Sequence, residues 1–367
     1  MYESALTSSF HAFKVMMKYY FAPLEGITGY LYRQAHHAYY PGVDRYYTPF
    51  LVPKEKKQLS TKERNDILPE HNAGITVIPQ VMTNDAEQFL KIAHVLWQEY
   101  GYQEVNLNLG CPSKTVVSKK RGSGFLTIPD RLEGFFDEVC GKLALDGIKL
   151  SVKTRIGKED PKEFAMLLRI FGKFPLSELI VHPRVQADFY NNTPNLEAFS
   201  WAYQVQKNVK WELCYNGDVF GCESFAPLCE QFPELGAVMM GRGMLANPRL
   251  AEELKKQREN SGDKRKAEKT TVFTRFMNAK EEQAERKRRY EMYRLLLEGY
   301  QSVMSGEKHV LFKMKELWMY MCLDFTEPKR YWKQMKKAQK LADFEAAVNA
   351  LCKEQHLCES SICGKVT

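Results

Sequence analysis

The chain has 367 residues, of which 44% are hydrophobic and 27% are charged, values typical of a soluble protein with a packed core. No run of about 18 apolar residues occurs, so we expect no membrane-spanning segment. The net charge of +8 lies in the last third, because residues 1–248 carry 27 Lys and Arg against 27 Asp and Glu, whereas residues 249–367 carry 26 against 18. This asymmetry favours a polyanionic partner for the C-terminal part, the alternative being a Lys-rich helical surface in solvent.

Cysteine usage indicates a reducing compartment. The nine cysteines are odd in number and irregularly spaced, which argues against a disulfide framework and favours a cytoplasmic location. The first 17 residues lack the layout of a signal peptide. Cys352, Cys358 and Cys363, with His356, do not match a usual zinc spacing, so we expect no metal there.

Residues 17–250 alternate short apolar segments with amphipathic ones, after an N-terminal extension over residues 1–16. The eight strands that we predict are 19–22, 45–48, 76–80, 104–108, 150–154, 178–181, 212–215 and 237–240. The helices that we predict between them are 28–38, 61–68, 85–100, 129–145, 161–174, 195–207 and 222–231, with Thr83 or Asn84 capping the third. This order predicts a (β/α)8 TIM barrel of the α/β class. An open doubly wound sheet is the competitor, weakened because no Gly-x-Gly-x-x-Gly turn follows an early strand.

The strand pattern stops at Asn247, and the remaining chain indicates a small α-helical domain. We expect a linker or helix over residues 251–279, a helical domain over 280–353 and a tail over 354–367. Helices are predicted at 280–304, 308–322 and 340–353, with Pro328 separating the second from the third. The expected bundle core comprises Leu295, Leu296, Val303, Leu311, Leu317, Trp318 and Met321.

The segment from Asn106 to Ser113, Asn-Leu-Asn-Leu-Gly-Cys-Pro-Ser, is the clearest functional signal. It indicates a strand that ends in a turn and presents the thiol of Cys111. The following segment, 114–126, holds four cations and two glycines, which predicts a mobile basic loop. Neighbouring positive charge would lower the pKa of Cys111 and make it reactive. The alternative is a buried cysteine in a structural turn.

Polar residues also follow the other predicted strands, at the end of a barrel where active sites are built. They are Glu25, Gln80, Asn108, Lys153, Arg155, His182, Arg184, Asn216, Asp218 and Arg242. Singly, each has an ordinary explanation, such as a core histidine for His182 or a plain turn at Asn216. The glycine turns at Gly217 and Gly241, with Arg242 and a helix that we expect to start near residue 245 or 247, predict a phosphate site. With Gln80, Lys153 and His182, this pattern suits flavin mononucleotide (FMN).

These motifs together resemble the tRNA-dihydrouridine synthases. The matching segments are Ala22-Pro-Leu-Glu-Gly-Ile-Thr, the Gln80 strand, Asn106 to Pro112 with Gly122-Ser-Gly124, Ser151-Val-Lys-Thr-Arg, Val181-His-Pro-Arg, Asn216-Gly-Asp and Met240-Gly-Arg-Gly. The resemblance implies FMN-dependent reduction of a tRNA uridine to 5,6-dihydrouridine, with NADPH as reductant. Cys111 would donate the proton to C5.

The resemblance also implies a set of binding residues. It assigns FMN binding to Pro23, Leu24, Glu25, Gln80, Lys153, His182, Asn216, Gly217, Asp218, Gly241 and Arg242. We expect substrate contacts from Asn108, Lys119, Arg155 and Arg184, tRNA binding by the basic helical domain, and no obligate protein partner. Two alternatives remain open: a flavin barrel enzyme acting on a free small molecule, such as a dihydropyrimidine or dihydroorotate dehydrogenase, and a non-enzymatic RNA-binding protein.

Overall fold

A computed structural model describes residues 16–54, 59–261 and 278–359. The predicted N-terminal extension and the second half of the predicted linker lie outside the described residues, as does most of the predicted tail.

Nine parallel strands form the centre of the molecule, in the order β3-β2-β1-β9-β8-β7-β6-β5-β4. They are β1 (Lys18–Phe21), β2 (Arg45–Tyr47), β3 (Val77–Ile78), β4 (Gln80–Val81), β5 (Glu104–Leu109), β6 (Lys149–Arg155), β7 (Glu178–His182), β8 (Glu212–Tyr215) and β9 (Ala237–Met240). β3 and β4 are consecutive pieces of one predicted strand, interrupted at Pro79, which has no N–H to donate. Because β3 pairs with β2 and β4 pairs with β5, the order is that of a barrel, and the predicted TIM barrel is confirmed.

Ten helices accompany the strands in the described part of the barrel region. They are α1 (Tyr30–Tyr39), α2 (Thr61–Ile67), α3 (Ala86–Gln98), α4 (Lys114–Val117), α5 (Pro129–Leu145), α6 (Glu163–Phe171), α7 (Leu196–Val205), α8 (Cys222–Gln231), α9 (Arg242–Ala246) and α10 (Leu250–Ser261). The seven predicted helices are present. α4 was not predicted, because four residues are too few for an amphipathic period. The helix that we expect after the Gly241 turn, near residue 245 or 247, begins earlier, as α9 directly after Gly241.

Helix α3 shows how a local interaction fixes a helix start. The carboxylate of Asp85 accepts a hydrogen bond from the backbone N–H of Gln88 at 2.9 Å, so Asp85 is the N-cap. The prediction of Thr83 or Asn84 as the cap was wrong. The hydroxyl of Thr83 instead accepts from the N–H of Asp85 at 3.2 Å, which orders the residues before the helix.

The barrel interior changes character along its axis. Its middle is apolar, filled by Tyr20, Ala22, Tyr47, Ile78, Ile180, Cys214, Ala237 and Met239. Towards the N-terminal ends of the strands, the carboxylate of Glu178 accepts hydrogen bonds from the hydroxyls of Tyr20 and Tyr47, each at 2.8 Å. Burial raises the pKa of Glu178 to about 7. The opposite, C-terminal ends carry the polar residues singled out above.

Four helices form the C-terminal bundle in the described residues: α11 (Ala279–Val303), α12 (Glu307–Met321), α13 (Lys329–Lys337) and α14 (Leu341–Glu354). Three were predicted; α13 was missed because its basic sequence has few apolar positions, and Pro328 serves as its N-cap. Five of the seven expected core residues are buried, but Leu295 and Val303 are 43% and 54% exposed. On α11 the buried face instead carries Met292, Leu296 and Tyr300, which recur at helical spacing.

Charged and polar contacts join α11 to the barrel. The hydroxyl of Tyr40 donates to Glu285 at 2.8 Å, and Arg288 pairs with Glu252 at 2.7 Å while its Nε donates to the carbonyl of Tyr39 at 2.5 Å. Within the bundle, the buried Arg289 pairs with the buried Asp324 at 2.8 Å. Its guanidinium also donates to the carbonyl of Ala246, the last residue of α9, at 3.4 Å. The bundle is therefore attached next to the loops that follow β9.

Three further expectations, on membrane spans, metal sites and cysteines, can be compared with the described residues. In the described ranges, no helix is both long enough and apolar enough to cross a membrane. In the same residues, no group of three or more His, Cys, Asp or Glu side chains is arranged to hold a metal ion. Seven cysteines, Cys111 among them, are free thiols, and Cys358 is disulfide-bonded.

Candidate active site

Cys111 lies in a turn held by hydrogen bonds on both sides of the residue. The side-chain oxygen of Asn108, at the end of β5, accepts from the N–H of Gly110 at 3.1 Å and from the N–H of Cys111 at 3.0 Å. The carbonyl of Cys111 accepts from the N–H of Ser123 at 3.0 Å and from its hydroxyl at 2.8 Å. The turn thus has a fixed backbone, and the thiol is partly exposed.

The segment after Cys111 is helical and packed, so the prediction of a loop there was wrong. It contains α4 and a 3-10 helix over Gly122–Thr127, whose first five residues are buried. A Cβ on Gly122, which has a φ of +55°, would lie 2.8 Å from the carbonyl oxygen of Cys111, and one on Gly124 would lie 2.8 Å from that of Val117. The glycines therefore permit close packing beneath the thiol. Lys119, a predicted substrate contact, is exposed between α4 and the 3-10 helix.

The pKa of Cys111 is raised, contrary to the sequence expectation. Burial is the largest cause, and it outweighs the lowering by the Ser113 backbone hydrogen bond, Arg155 and Lys153. The thiol is therefore protonated at neutral pH. A protonated thiol is a proton donor rather than a nucleophile.

Lys153 stands on β6, in register with Asn108 on β5. Burial, followed by repulsion from Arg155, lowers its pKa to about 8. Among the described residues its ammonium makes no hydrogen bond or ion pair, so it is a cation available to a ligand. Gln80 is fully buried at the start of β4, and its side-chain oxygen accepts from the amide of Asn108 at 2.7 Å.

His182 ends β7 as a neutral imidazole. A guanidinium N–H of Arg184 lies 3.1 Å from its Nε2. Because arginine only donates, Nε2 must accept, and the neutral ring carries its hydrogen on Nδ1. Burial and then Arg155 hold the pKa of His182 well below its ordinary value. His182 therefore presents an Nδ1–H donor.

The two arginines predicted to contact substrate are buried and hold the protein's own groups. Arg155 donates to the carbonyls of Gly110, Val185 and Phe189 at 3.1, 2.7 and 2.6 Å. It thereby connects the Cys111 turn to the loop after β7. Arg184 is fixed by Asp218, by His182 and by the carbonyl of Asn192. In this arrangement both side chains support the mouth of the barrel.

Residues after β8 and β9 form the other side of the mouth. Asp218 pairs with Arg184 at 2.5 Å and with Arg242 at 2.7 Å. The side chain of Asn216 donates to the carbonyl of Met239 at 2.8 Å. A Cβ on Gly217 would lie 2.1 Å from the hydroxyl of Tyr215, so no side chain fits there. Gly241 is the N-cap of α9, and a Cβ on it would lie 3.4 Å from that of Ala22.

The turn after β1 contributes Pro23 and Leu24, which are partly buried, and Glu25, which is exposed. The N–H groups of Ile27 and Thr28 both donate to the carbonyl of Leu24, at 3.0 and 3.1 Å. Glu25 pairs with Lys62 of α2 at 3.0 Å and faces outwards. Leu24 also lies close to Gly241, with its Cδ1 3.5 Å from where a Cβ on Gly241 would be.

Sequence reasoning missed an aromatic residue at the mouth. The ring of Tyr190 is stacked on that of His182, with centroids 6.0 Å apart, and is 50% exposed. The guanidinium of Arg242 lies 4.5 Å from its centroid and that of Arg155 lies 5.5 Å away. No strand-end signal marked Tyr190, because it lies eight residues beyond the end of β7.

The barrel brings most of the predicted residues to one end. The pKa of Cys111 responds to Lys153 and Arg155, and that of His182 responds to Lys153, Arg184 and Arg242, so these groups share one electrostatic environment. Strands β5 and β9 are separated by three strands on one side of the ring, so the thiol and the Gly241 turn lie on opposite walls of the mouth.

Comparison with known proteins identifies the family. A family model for dihydrouridine synthase (Dus) matches residues 20–319. The tRNA-dihydrouridine(16) synthase of Neisseria meningitidis serogroup B is 29% identical over 190 residues, which cover 52% of this chain and 55% of that protein. The tRNA-dihydrouridine synthase B of Pasteurella multocida is 23% identical over 240 residues, covering 65% of this chain and 69% of that protein.

The matched segments span about half to two thirds of the lengths of these relatives. A probable tRNA-dihydrouridine synthase 1 of Synechocystis is 29% identical over 251 residues, which cover 67% of this chain and 66% of that protein. Among solved structures, morphinone reductase is 14% identical with a TM-score of 0.46, covering 65% of this chain and 86% of that one. Because the family model covers most of the chain and its motif residues converge at the barrel mouth, this protein belongs to the dihydrouridine synthase family.

Proposed function

We propose that this protein reduces a uridine of tRNA to 5,6-dihydrouridine, with FMN bound in the barrel mouth and NADPH as the reductant. The observation that carries the proposal is the partly exposed, protonated thiol of Cys111, beside the free ammonium of Lys153 and the neutral imidazole of His182. Family membership and the names of the relatives support it.

The residues present fit a flavin. The amide of Gln80 can meet the donor and acceptor groups of a pyrimidine edge, and Lys153 can stabilise negative charge on a reduced ring. The Nδ1–H of His182 is a further donor. Pro23, Leu24, Asn216, Gly217, Gly241 and Arg242 would hold the rest of the cofactor, with its phosphate next to the turn at Gly241. When bound, the flavin supplies a hydride to C6 of uracil.

Cys111 completes the reduction by donating its proton to C5. Hydride addition at C6 places negative charge on C5 and the neighbouring carbonyl, so an acid must be within reach. The raised pKa keeps the thiol protonated until that charge develops. NADPH would supply the reducing equivalents for the next turnover, and a solvent proton would restore the thiol. Uridine must leave its stack to enter the mouth.

The tRNA would be held by the basic bundle. On α13 five basic side chains, Lys329, Arg330, Lys333, Lys336 and Lys337, are exposed, and its sequence has no acidic residue. Tyr293, Trp318 and Tyr331 are buried, so these aromatic residues serve the bundle core. A cytoplasmic location and the absence of an obligate protein partner complete the proposal.

The test is mass spectrometry of tRNA incubated with the purified protein, FMN and NADPH. We expect a gain of about two daltons in one fragment with the wild type and none with Cys111→Ala, which should keep its flavin and its stability. Unmodified tRNA with the flavin-loaded wild type would refute the function, and equal turnover by Cys111→Ala would remove the thiol from the reaction. A salt-insensitive interaction with tRNA would favour the small-molecule alternative.

A further inference from the structure

Four polar side chains form a continuous hydrogen-bonded chain inside the barrel, below Cys111. The amide of Asn106 donates to the hydroxyl of Ser151 at 3.0 Å, and the amide of Gln80 donates to the side-chain oxygen of Asn106 at 2.7 Å. The amide of Asn108 donates to the side-chain oxygen of Gln80 at 2.7 Å. We call Ser151, Asn106, Gln80 and Asn108 the amide ladder. It follows the register of β4, β5 and β6, in which Gln80 is beside Asn106 and Asn106 is beside Ser151.

The direction of this ladder is determined at its upper end. The backbone N–H groups of Gly110 and Cys111 can only donate, so the oxygen of Asn108 must point to them. The nitrogen of Asn108 must then point to Gln80, which turns the oxygen of Gln80 towards Asn108 and its nitrogen towards Asn106.

The lower end of the ladder does not specify a direction. The hydroxyl of Ser151 can donate or accept, so it accommodates either orientation of Asn106. Three of the four members are fully buried and Asn108 is 7% exposed, so a mismatched rung would leave buried polar groups unpaired. A mismatched rung is disfavoured by about 5-fold to 150-fold relative to the aligned one, which is enough to keep all rungs aligned.

We propose that Asn108 is a positioning residue that transmits the geometry of the Cys111 turn to the amide of Gln80. This inference rests on the proposed function, in which Gln80 faces the pyrimidine edge of the flavin. Gln80 retains one N–H and one oxygen lone pair for a ligand, and their order is fixed by Asn108. The thiol that would donate the proton and the amide that would read the flavin therefore share one rigid element.

Two aspartate variants of matched size separate this role from a simple structural one. In Asn108→Asp the carboxylate still accepts from the two backbone amides but cannot donate to Gln80, so Gln80 and Asn106 must both turn over. Lys153, the register partner of Asn108, keeps this carboxylate ionised. In Asn106→Asp the carboxylate accepts from Gln80 and from the hydroxyl of Ser151, so the direction of the ladder is preserved.

The experiment measures the dissociation constant of FMN by fluorescence titration of flavin-free protein, together with the absorption spectrum of the bound flavin. We expect Asn108→Asp to weaken FMN binding about 30-fold or more and to shift the spectrum, because two hydrogen bonds to the flavin are mismatched. Asn106→Asp should remain within about threefold of the wild type. Melting temperatures show whether each variant is folded.

The double variant Gln80→Ala/Asn108→Asp provides the decisive comparison. If Asn108 acts through Gln80, its replacement by aspartate adds no further loss of FMN affinity once Gln80 is absent. Equal effects of the two aspartates, or an undiminished loss in the double variant, would overturn the inference. These constants require no tRNA, so tRNA left unreduced by a protein that binds FMN would refute only the proposed function. A wild type that binds no FMN would overturn both.

Discussion

Replacement of Lys153 should separate flavin binding from stability, because its ammonium is held in a partly buried site without a partner among the described residues. Its pKa is lowered from 10.5 to about 8. With that pKa, roughly nine tenths of the side chains are charged at pH 7 and about one tenth at pH 9. If only the charged form binds FMN tightly, the dissociation constant should rise about fivefold to tenfold between these pH values.

Two variants provide the control. Lys153→Arg keeps its charge throughout this range, so its FMN affinity should be flat between pH 7 and pH 9.5. Lys153→Met should bind FMN weakly at every pH. Fluorescence titration measures all three proteins, and a flat wild-type profile, or the same pH dependence in Lys153→Arg, would show that this ammonium does not bind the cofactor.

The lowered pKa of Lys153 also predicts how the stability of the flavin-free protein depends on pH. Stability should rise with pH, whereas FMN affinity should fall. Because the pKa of Lys153 is lower in the folded protein than in the unfolded chain, the unfolded chain binds more protons between pH 8 and pH 10.5. Stability therefore rises with pH in this range, and below pH 8 the full destabilisation by the buried ammonium is present. The shift corresponds to about 3 kcal/mol, which partial exposure of Lys153 reduces to about 1–2 kcal/mol. Lys153→Met should therefore be more stable at pH 7 in urea unfolding. If Lys153→Met were less stable than the wild type, the destabilisation assigned to the buried ammonium would be contradicted.

Three further predictions concern other parts of the molecule. The raised pKa of Glu178 implies that stability falls as pH rises from about 4.5 to about 7, and Glu178→Gln should remove a slope worth on the order of 3 kcal/mol in urea unfolding. Reversing the charge of Lys333 and Lys336 on α13 should weaken tRNA binding and reduce its salt dependence, whereas two reversals on barrel helix α5 should not. Gly243→Ala would place a Cβ 2.2 Å from a loop carbonyl and should lower the melting temperature, unlike Gly134→Ala, whose Cβ meets nothing within 4 Å.

The alternation of residues along β5 explains why the barrel was predictable. Val105, Leu107 and Leu109 face the surrounding helices, while Glu104, Asn106 and Asn108 face the interior, so a polar strand face near the mouth signals a site. The polar residues at the predicted strand ends were sufficient to find Lys153 and His182. The interruption at Pro79 also had a signal, since proline cannot donate to a strand partner.

The roles of several site residues depend on tertiary contacts that the sequence does not show. Arg155 and Arg184 looked free for a substrate, but carbonyls and Asp218 distant in sequence occupy their donors. The charge of neighbouring lysines suggested an acidified Cys111, whereas burial has the larger effect on its pKa. The importance of Asn106 depends on hydrogen-bond direction, which no spacing of residues encodes.

The attachment of the bundle to the barrel through Tyr40 with Glu285, Arg288 with Glu252, and Arg289 with the carbonyl of Ala246 has a consequence for the proposed substrate selection. Separating the two parts would break the ion pair of Arg288 with Glu252 and the further hydrogen bonds, so the bundle cannot swing independently of the barrel at small energetic cost. In the proposed function, the bundle surface that would bind tRNA and the barrel mouth that would receive one nucleotide are held at a fixed spacing. The position of the tRNA that is reached would then be set by this spacing rather than by contacts to the base.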